Sequence, residues 1–414
     1  MGTLLSLKGS FNFSQAVRDS LWQHIYLTPE LEATPQTPVF NRLYSIKQLG
    51  PTEIVYPGAT HTRASHSFGV YHIALRLIDS LLAKGAGEWV TKEGISSFMS
   101  AALFHDLGHF PFTHSLKELP LKDHEDLTAD AILAEPLKSL IAKTGADPLQ
   151  VAAIVSDSIK TDDTETLFFR KLLSGVLDPD KLDYLNRDAF FCGVPYGIQD
   201  IDFILAHLVP DRQKGIMLDS AGIMSVEHLL FSKYLMYKAV YWNKSVRTAT
   251  AMMKKALYSA LVKNLVTPEE LYAADDDSIY RLLLALDFKE KKCAVLLKER
   301  KLYRIVAEIP FDESNPIHKK LENLEFRTEQ EKQLAGAISL EPHEVIIDVP
   351  EKISFETDLW IYSENKPFSV SSTVFGKDTV QNFTKSIRKI RICAAPDCKL
   401  STKEKIVGFI ENNM

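Results

Sequence analysis

Between residues 64 and 82 the apolar side chains occupy two helical stripes at once. Ala64, Phe68, Tyr71, Leu75, Ile78 and Leu82 recur at alternating spacings of four and three, and Val70, Ile73, Leu77 and Leu81 form a second row. A helix on a protein surface needs one apolar stripe, so a helix apolar around most of its circumference must be covered on several sides. The spacing predicts a central helix and hence a mainly α-helical domain. Further helices are expected over 92–107, 125–144, 148–158 and 165–174. Asp178-Pro179 supplies an N-cap followed by proline at the first helical position, which predicts another helix from 179. Residues 226–262 read as long and helical.

The flanks differ in character. Up to Pro38, short apolar clusters mixed with Thr and Pro predict an N-terminal arm and loops. After Val266 come an acidic loop (274–278), a lysine-rich helix (289–301) and β-like runs at 303–309, 344–348, 359–362 and 387–393. The expectation is an arm over 1–38, a helical core over 39–265 and a smaller C-terminal α+β lobe over 266–414. A length of 414 residues accommodates this division. The formal net charge of -6 argues against a generally basic nucleic-acid binder. No run approaches the roughly 20 apolar residues of a membrane-spanning helix. Cys192, Cys293, Cys393 and Cys398 lack zinc-ligand spacing, and so few cysteines fit a reducing compartment. A cytoplasmic protein is expected.

The chemistry concentrates in one stretch, Ala101–His114, AALFHDLGHFPFTH. His105-Asp106 closes an apolar run that includes Phe98, Met99, Leu103 and Phe104, so the pair is expected to be buried. Desolvating an uncompensated polar or charged side chain costs roughly several kcal/mol, so both groups need partners. Seven of the 12 histidines fall between His61 and His124. His66 lies near the start of the first central helix, His105-Asp106 at the end of the second, and Asp178, Asp180 and Asp183 around the start of a third. Two imidazoles plus two carboxylates form a mixed N/O set suited to one Fe, Mn, Zn or Mg ion. From spacing alone the three aspartates compete for the fourth position, with Asp178 the expected helix cap. Arg63, one turn before His66, shares its face and carries a fork that suits phosphate oxygens. His109 and His114 are spaced to exchange protons beside such a centre.

These residues resemble a known family. His66, His105-Asp106 and Asp180 look like the H…HD…D signature of the HD-domain phosphohydrolases. FNRLYSIKQLG (40–50), YPGATHTRASHSFGV (56–70), FHDLGHFPFTH (104–114), DHED (123–126) and DPDKLDYLNRD (178–188) occur in the order of the deoxynucleoside triphosphate triphosphohydrolase branch. SKYLMYKAVYWNK (232–244) and LKERKLYRIVAEI (297–309) resemble it as well. The resemblance implies an HD-domain core over 39–265 and Asp180 as the fourth ligand. It implies cleavage of a deoxynucleoside triphosphate at the α-phosphate, releasing nucleoside and inorganic triphosphate, with magnesium accompanying the substrate phosphates. It places Lys181 and Lys233 at phosphate-contacting positions, and His124-Glu125 beside the reacting phosphate. By the same likeness Tyr184, Asp188 and Tyr241 contact the sugar, while Gln48 and Leu49 approach it. A homo-oligomer, dimer or tetramer, is implied.

Several residues have plainer expected roles. His61 and His72 read as packing or surface histidines, Asp183 as an ion-pair partner of Arg187, and 289–301 as a solvated helix face. Rival functions are another phosphoester hydrolase, such as a nucleoside monophosphatase or a cyclic-nucleotide phosphodiesterase, and a nucleotide or single-stranded nucleic-acid sensor with little turnover. The sensor is disfavoured because a binding module has no need of an open metal site.

Overall fold

The computed structural model describes residues 6–7, 9–353, 355–371, 373–396, 405–406 and 408–410. Cys398 lies outside them; among the described residues Cys192, Cys293 and Cys393 form no disulfide. The architecture is mainly α-helical. Helix α1 (Arg63–Ala83) runs through the middle, with Val70, Tyr71, Ile73, Ala74, Leu75, Leu77 and Ile78 all buried, as its double stripe requires. It packs against α2 (Lys92–Phe104), and on another side it meets a helix that starts beyond residue 178.

The ends of these helices follow local chemistry. The Thr91 side chain caps α2 by accepting from Gly94 N. That helix stops at Phe104 rather than 107, because the chain tightens into turns with Leu107 N on Phe104 O and His109 N on Asp106 O. The expected 125–144 helix is two pieces, α3 (His124–Leu133) and a short helix Leu137–Lys143, parted at Pro136. A proline inside a helix removes a backbone donor and crowds the preceding turn. Helix α4 (Pro179–Cys192) starts as expected, with Asp178 Oδ1 accepting from Lys181 N at 2.7 Å, and ends at Gly193 in the left-handed region (φ +66°). The long 226–262 stretch is also two helices, α5 (Ile223–Met236) and α6 (Lys244–Val262). A π-helical turn at Tyr237–Tyr241 separates them, and Asn243 caps the second.

Three cores result. The first surrounds α1. In the second, α6 packs with helices Asp276–Ala285 and Lys291–Lys298 and with Phe110 and Leu116, just beyond the His-Asp pair. The third lies between helix Leu324–Ile338 and an antiparallel three-stranded sheet whose central strand, Lys389–Ala394, is flanked by Arg304–Pro310 and Val345–Asp348. Residues beyond 351 return to the helical core, where Ile353, Phe355, Leu359, Ile361 and Phe368 are buried. Trp360–Ile361 extends the hairpin of Leu208–Asp211 and Gly215–Leu218 as a parallel neighbour. The N-terminal stretch holds a hairpin, β1 (Gln15–Asp19) and β2 (Gln23–Leu27). Lys289 and Lys292 pair with Glu341 and Glu344, so the lysine-rich helix is a charge-balanced face. Among the described residues no helix is long and apolar enough to cross a membrane.

Candidate metal centre

Three helix ends meet where His66, His105, Asp106 and Asp180 converge. One donor atom each from His66, His105 and Asp106 lies within 4.8 Å of the other two. His66 Nε2 is 2.9 Å from Asp180 Oδ1 and 3.9 Å from Asp106 Oδ2. His105 Nε2 is 3.3 Å from Asp106 Oδ1 and 3.7 Å from Asp180 Oδ1. Donors bound about 2.1 Å from one shared cation stand roughly 3–3.5 Å apart, close to this spread.

Second hydrogen bonds turn both imidazoles the right way. His66 Nδ1 donates to Asp183 Oδ2 at 2.8 Å, and His105 Nδ1 donates to the Ala102 carbonyl at 3.0 Å. A ring whose Nδ1 carries the proton leaves the Nε2 lone pair for a metal. His105 Nε2 is buried and makes no hydrogen bond among the described residues. Burial disfavours charge on His66, yet hydrogen bonds to Asp180 and Asp183 raise it to about 10. The carboxylates there call for positive charge. The residues present therefore fit a divalent cation.

Arg63 Nη1 donates to Asp106 Oδ2 at 2.7 Å. Burial alone would push the Asp106 carboxyl up, but His109, His105 and Arg63 hold it well below the usual carboxylate range. The turn after Asp106 is pinned from two sides. Arg42 donates to the carbonyls of Leu107 (2.8 Å), His109 (2.8 Å) and Ala274 (3.0 Å). Gly108 N donates to Thr128 Oγ1 at 2.8 Å, docking the turn on α3. That docking assembles a histidine trio: ring centroids are 4.1 Å apart for His109 and His124, and 4.8 Å for His109 and His114. His109 is buried, whereas His114 is exposed, with its Nε2 3.2 Å from His109 Nε2. Glu125 lies on the exposed side of the first turn of α3.

The remaining expected site residues gather along α4 and α5. Lys181 Nζ pairs with Asp178 Oδ2 at 2.6 Å and Glu356 Oε2 at 3.0 Å. Lys233 is buried 5.6 Å above the Phe355 ring; burial and the neighbouring Lys181 lower it to about 8. Asp188 accepts from His61 Nε2 at 2.8 Å and from the Tyr241 hydroxyl at 2.7 Å. His61 is thus a buried packing histidine, stacked on Phe191. Tyr184 projects from the same helix as Asp180 and Asp188. Gln48 N donates to the His61 carbonyl beside the start of α1; Gln48 Oε1 is buried with no partner among the described residues, and Leu49 is half-buried.

Sequence reasoning missed several supporting residues. Asp183 does pair with Arg187, as expected, but it also orients His66. Trp22, Asp19, Arg42 and Glu356 had no local signal, because their partners lie far along the chain.

Fold and site together define a class. The HD-domain family model matches residues 63–166, and that of an HD associated region matches 200–370. The chain belongs to the HD-domain phosphohydrolase superfamily and has relatives in its dNTPase branch. It is 38% identical to the protein YwfO of Bacillus subtilis over 223 residues, 53% of this chain and 50% of that one. It is 45% identical to the deoxynucleoside triphosphate triphosphohydrolase SAMHD1 of Danio rerio over 275 residues, 58% of this chain and 44% of that protein. The chain thus spans about half the length of these two relatives. A phosphohydrolase crystal structure from Bacteroides thetaiotaomicron superposes with a TM-score of 0.71 over 92% of this chain and 99% of that one. At 22% identity that likeness speaks for the fold.

Proposed function

We propose that this protein is a metal-dependent hydrolase of deoxynucleoside triphosphates that cleaves at the α-phosphate, giving deoxynucleoside and inorganic triphosphate. The observation that carries the reading is the convergence of His66, His105, Asp106 and Asp180, with Arg63 bonded to Asp106. In this reading those four residues hold one divalent ion, Fe, Mn, Zn or Mg. When bound, such an ion polarises a phosphoryl oxygen and makes water a competent nucleophile near neutral pH.

The chain's own groups do the rest. Arg63 Nε is buried and has no partner among the described residues, so donors beyond the one given to Asp106 remain for a phosphate oxygen. Lys181 and Lys233 neutralise the polyphosphate tail. His114 reaches solvent and contacts buried His109, which suits it to deliver a proton to the leaving oxygen, with His124 and Glu125 completing the relay. Tyr184, Tyr241, Gln48 and Leu49 line the sugar side. Both Asp188 oxygens already accept from the protein, so Asp188 holds the Tyr241 hydroxyl in place. The exposed Met224 and Phe231 of α5 leave apolar surface that supports a homo-oligomer, dimer or tetramer, which sedimentation would reveal.

A panel of dNTPs with Mn, Fe, Mg and Zn, run beside Asp106→Ala, tests the proposal. Inorganic triphosphate from wild type and none from the variant is expected. Orthophosphate or a linearised nucleotide as product would reassign the substrate, and equal release by the variant would move the activity elsewhere.

A further inference from the structure

The carboxylate that aims His66 is itself held from the N-terminal hairpin. Asp183 Oδ2 accepts from His66 Nδ1 at 2.8 Å and from Arg187 Nε at 2.8 Å. Its other oxygen accepts from Arg187 Nη2 at 3.0 Å and from the Trp22 indole N–H at 2.5 Å. Arg187 turns its far edge to Asp19, with Nη1 2.8 Å from Oδ2 and Nη2 3.3 Å from Oδ1. Asp19 in turn shapes the hairpin tip, where its Oδ1 accepts from the backbone N–H groups of Leu21 (2.9 Å) and Trp22 (2.8 Å). Asp19, Asp183 and Arg187 are all buried.

The arrangement is tight on the fourth side too. A Cβ at Gly69 of α1 would sit 1.9 Å from Asp183 Oδ1, so the carboxylate lies directly against the backbone of the helix that carries His66. Asp183 and Arg187, four residues apart on α4, already satisfy each other's charge. Their mutual pairing does not need Trp22 or Asp19. What the hairpin adds is direction: a donor on the second carboxylate oxygen and a carboxylate on the far edge of the guanidinium fix both side chains in the plane that presents Oδ2 to His66. Asp183, one bond behind a metal ligand, is the kind of partner whose removal typically changes metal affinity about 10- to 100-fold, and Trp22 and Asp19 act one step further back through it.

We infer that the hairpin Gln15–Leu27 braces the metal centre, with Trp22 and Asp19 as positioning residues that act on His66 through Asp183. Metal affinity then depends on a segment that precedes the matched HD domain. The inference rests on the metal reading proposed above.

Apoprotein titrated with Mn2+, with free ion followed by electron paramagnetic resonance, tests it without any turnover. Trp22→Phe removes the N–H and keeps a ring against His72. The Mn2+ Kd should rise, by up to about tenfold. Asp19→Asn, which keeps the tip acceptor and removes the charge facing Arg187, should shift it in the same direction. Ile25→Val, a buried trim in the same hairpin, lowers stability and should leave Kd at the wild-type value. A Trp22→Phe or Asp19→Asn protein that binds Mn2+ as wild type does overturns the brace alone. A wild-type chain that takes up no Mn2+ overturns the metal reading and the brace with it.

Discussion

Glu356 places a carboxylate oxygen 3.0 Å from Lys181 Nζ, one residue beyond metal-ligand candidate Asp180. The pair joins α4 to the chain that returns from the C-terminal sheet. Glu356 is 43% exposed at its side chain and Lys181 13%. A polyphosphate that engages Lys181 must displace this carboxylate. A partly exposed ion pair is worth up to about 1 kcal/mol, or about fivefold in affinity. Glu356→Gln should therefore lower KM for the nucleotide up to about fivefold with kcat unchanged, as read from initial rates. A KM equal to wild type would take Lys181 off the phosphate path.

Lys233 gives the site a pH dependence. Burial, with Lys181 nearby, lowers it to about 8, so it is cationic below that value and neutral above it. Nucleotide KM should rise between about pH 7 and pH 9 as the charge is lost. Lys233→Arg, always charged, should flatten that rise. An identical KM profile in both proteins would contradict the assignment.

His72 predicts a stability effect of definite sign. Burial and the neighbouring Arg76 lower its pKa from histidine's ordinary 6.5 to about 4. The unfolded chain therefore binds a proton that the native state refuses, and stability present above about 6.5 is lost as pH falls toward the folded value. Between neutral pH and about pH 5 the loss is about 2 kcal/mol. Urea unfolding at both pH values should show this loss in wild type, and a smaller one in His72→Phe.

Gly108 is where the His-Asp turn touches α3. A Cβ there would lie 2.1 Å from the His124 carbonyl oxygen and 2.6 Å from Thr128 N, both backbone atoms. Gly108→Ala must push α3 away, at a cost of about 1–3 kcal/mol. It should also separate His124 from His109, so turnover should fall along with the melting temperature. A variant with unchanged melting and turnover would show that the contact yields easily.

How much of this was legible in the sequence depended on distance along the chain. The double stripe of 64–82 marked a central helix because burial on several faces leaves a local periodic record. Asp178-Pro179 marked the start of α4 because capping acts within four residues. The break at Tyr237–Tyr241 left no such mark. Leu, Met, Tyr and Ala are compatible with unbroken helix, and Asn243, whose cap begins α6, was the one cue. The expected metal-site side chains converge in space, with the ligand choice among Asp178, Asp180 and Asp183 supplied by resemblance. Distances give each a distinct place: Asp178 caps α4, Asp180 faces both His66 and His105, and Asp183 sits behind His66. The residues that support them were illegible. Trp22 lies 161 positions from Asp183, and no local pattern encodes such a pairing.

The most direct test of the central claim is anomalous diffraction from crystals grown with Mn2+. The account predicts one anomalous peak about 2.0–2.3 Å from His66 Nε2, His105 Nε2 and an oxygen of each of Asp106 and Asp180. A peak elsewhere, or those four side chains turned apart with no peak between them, would contradict it.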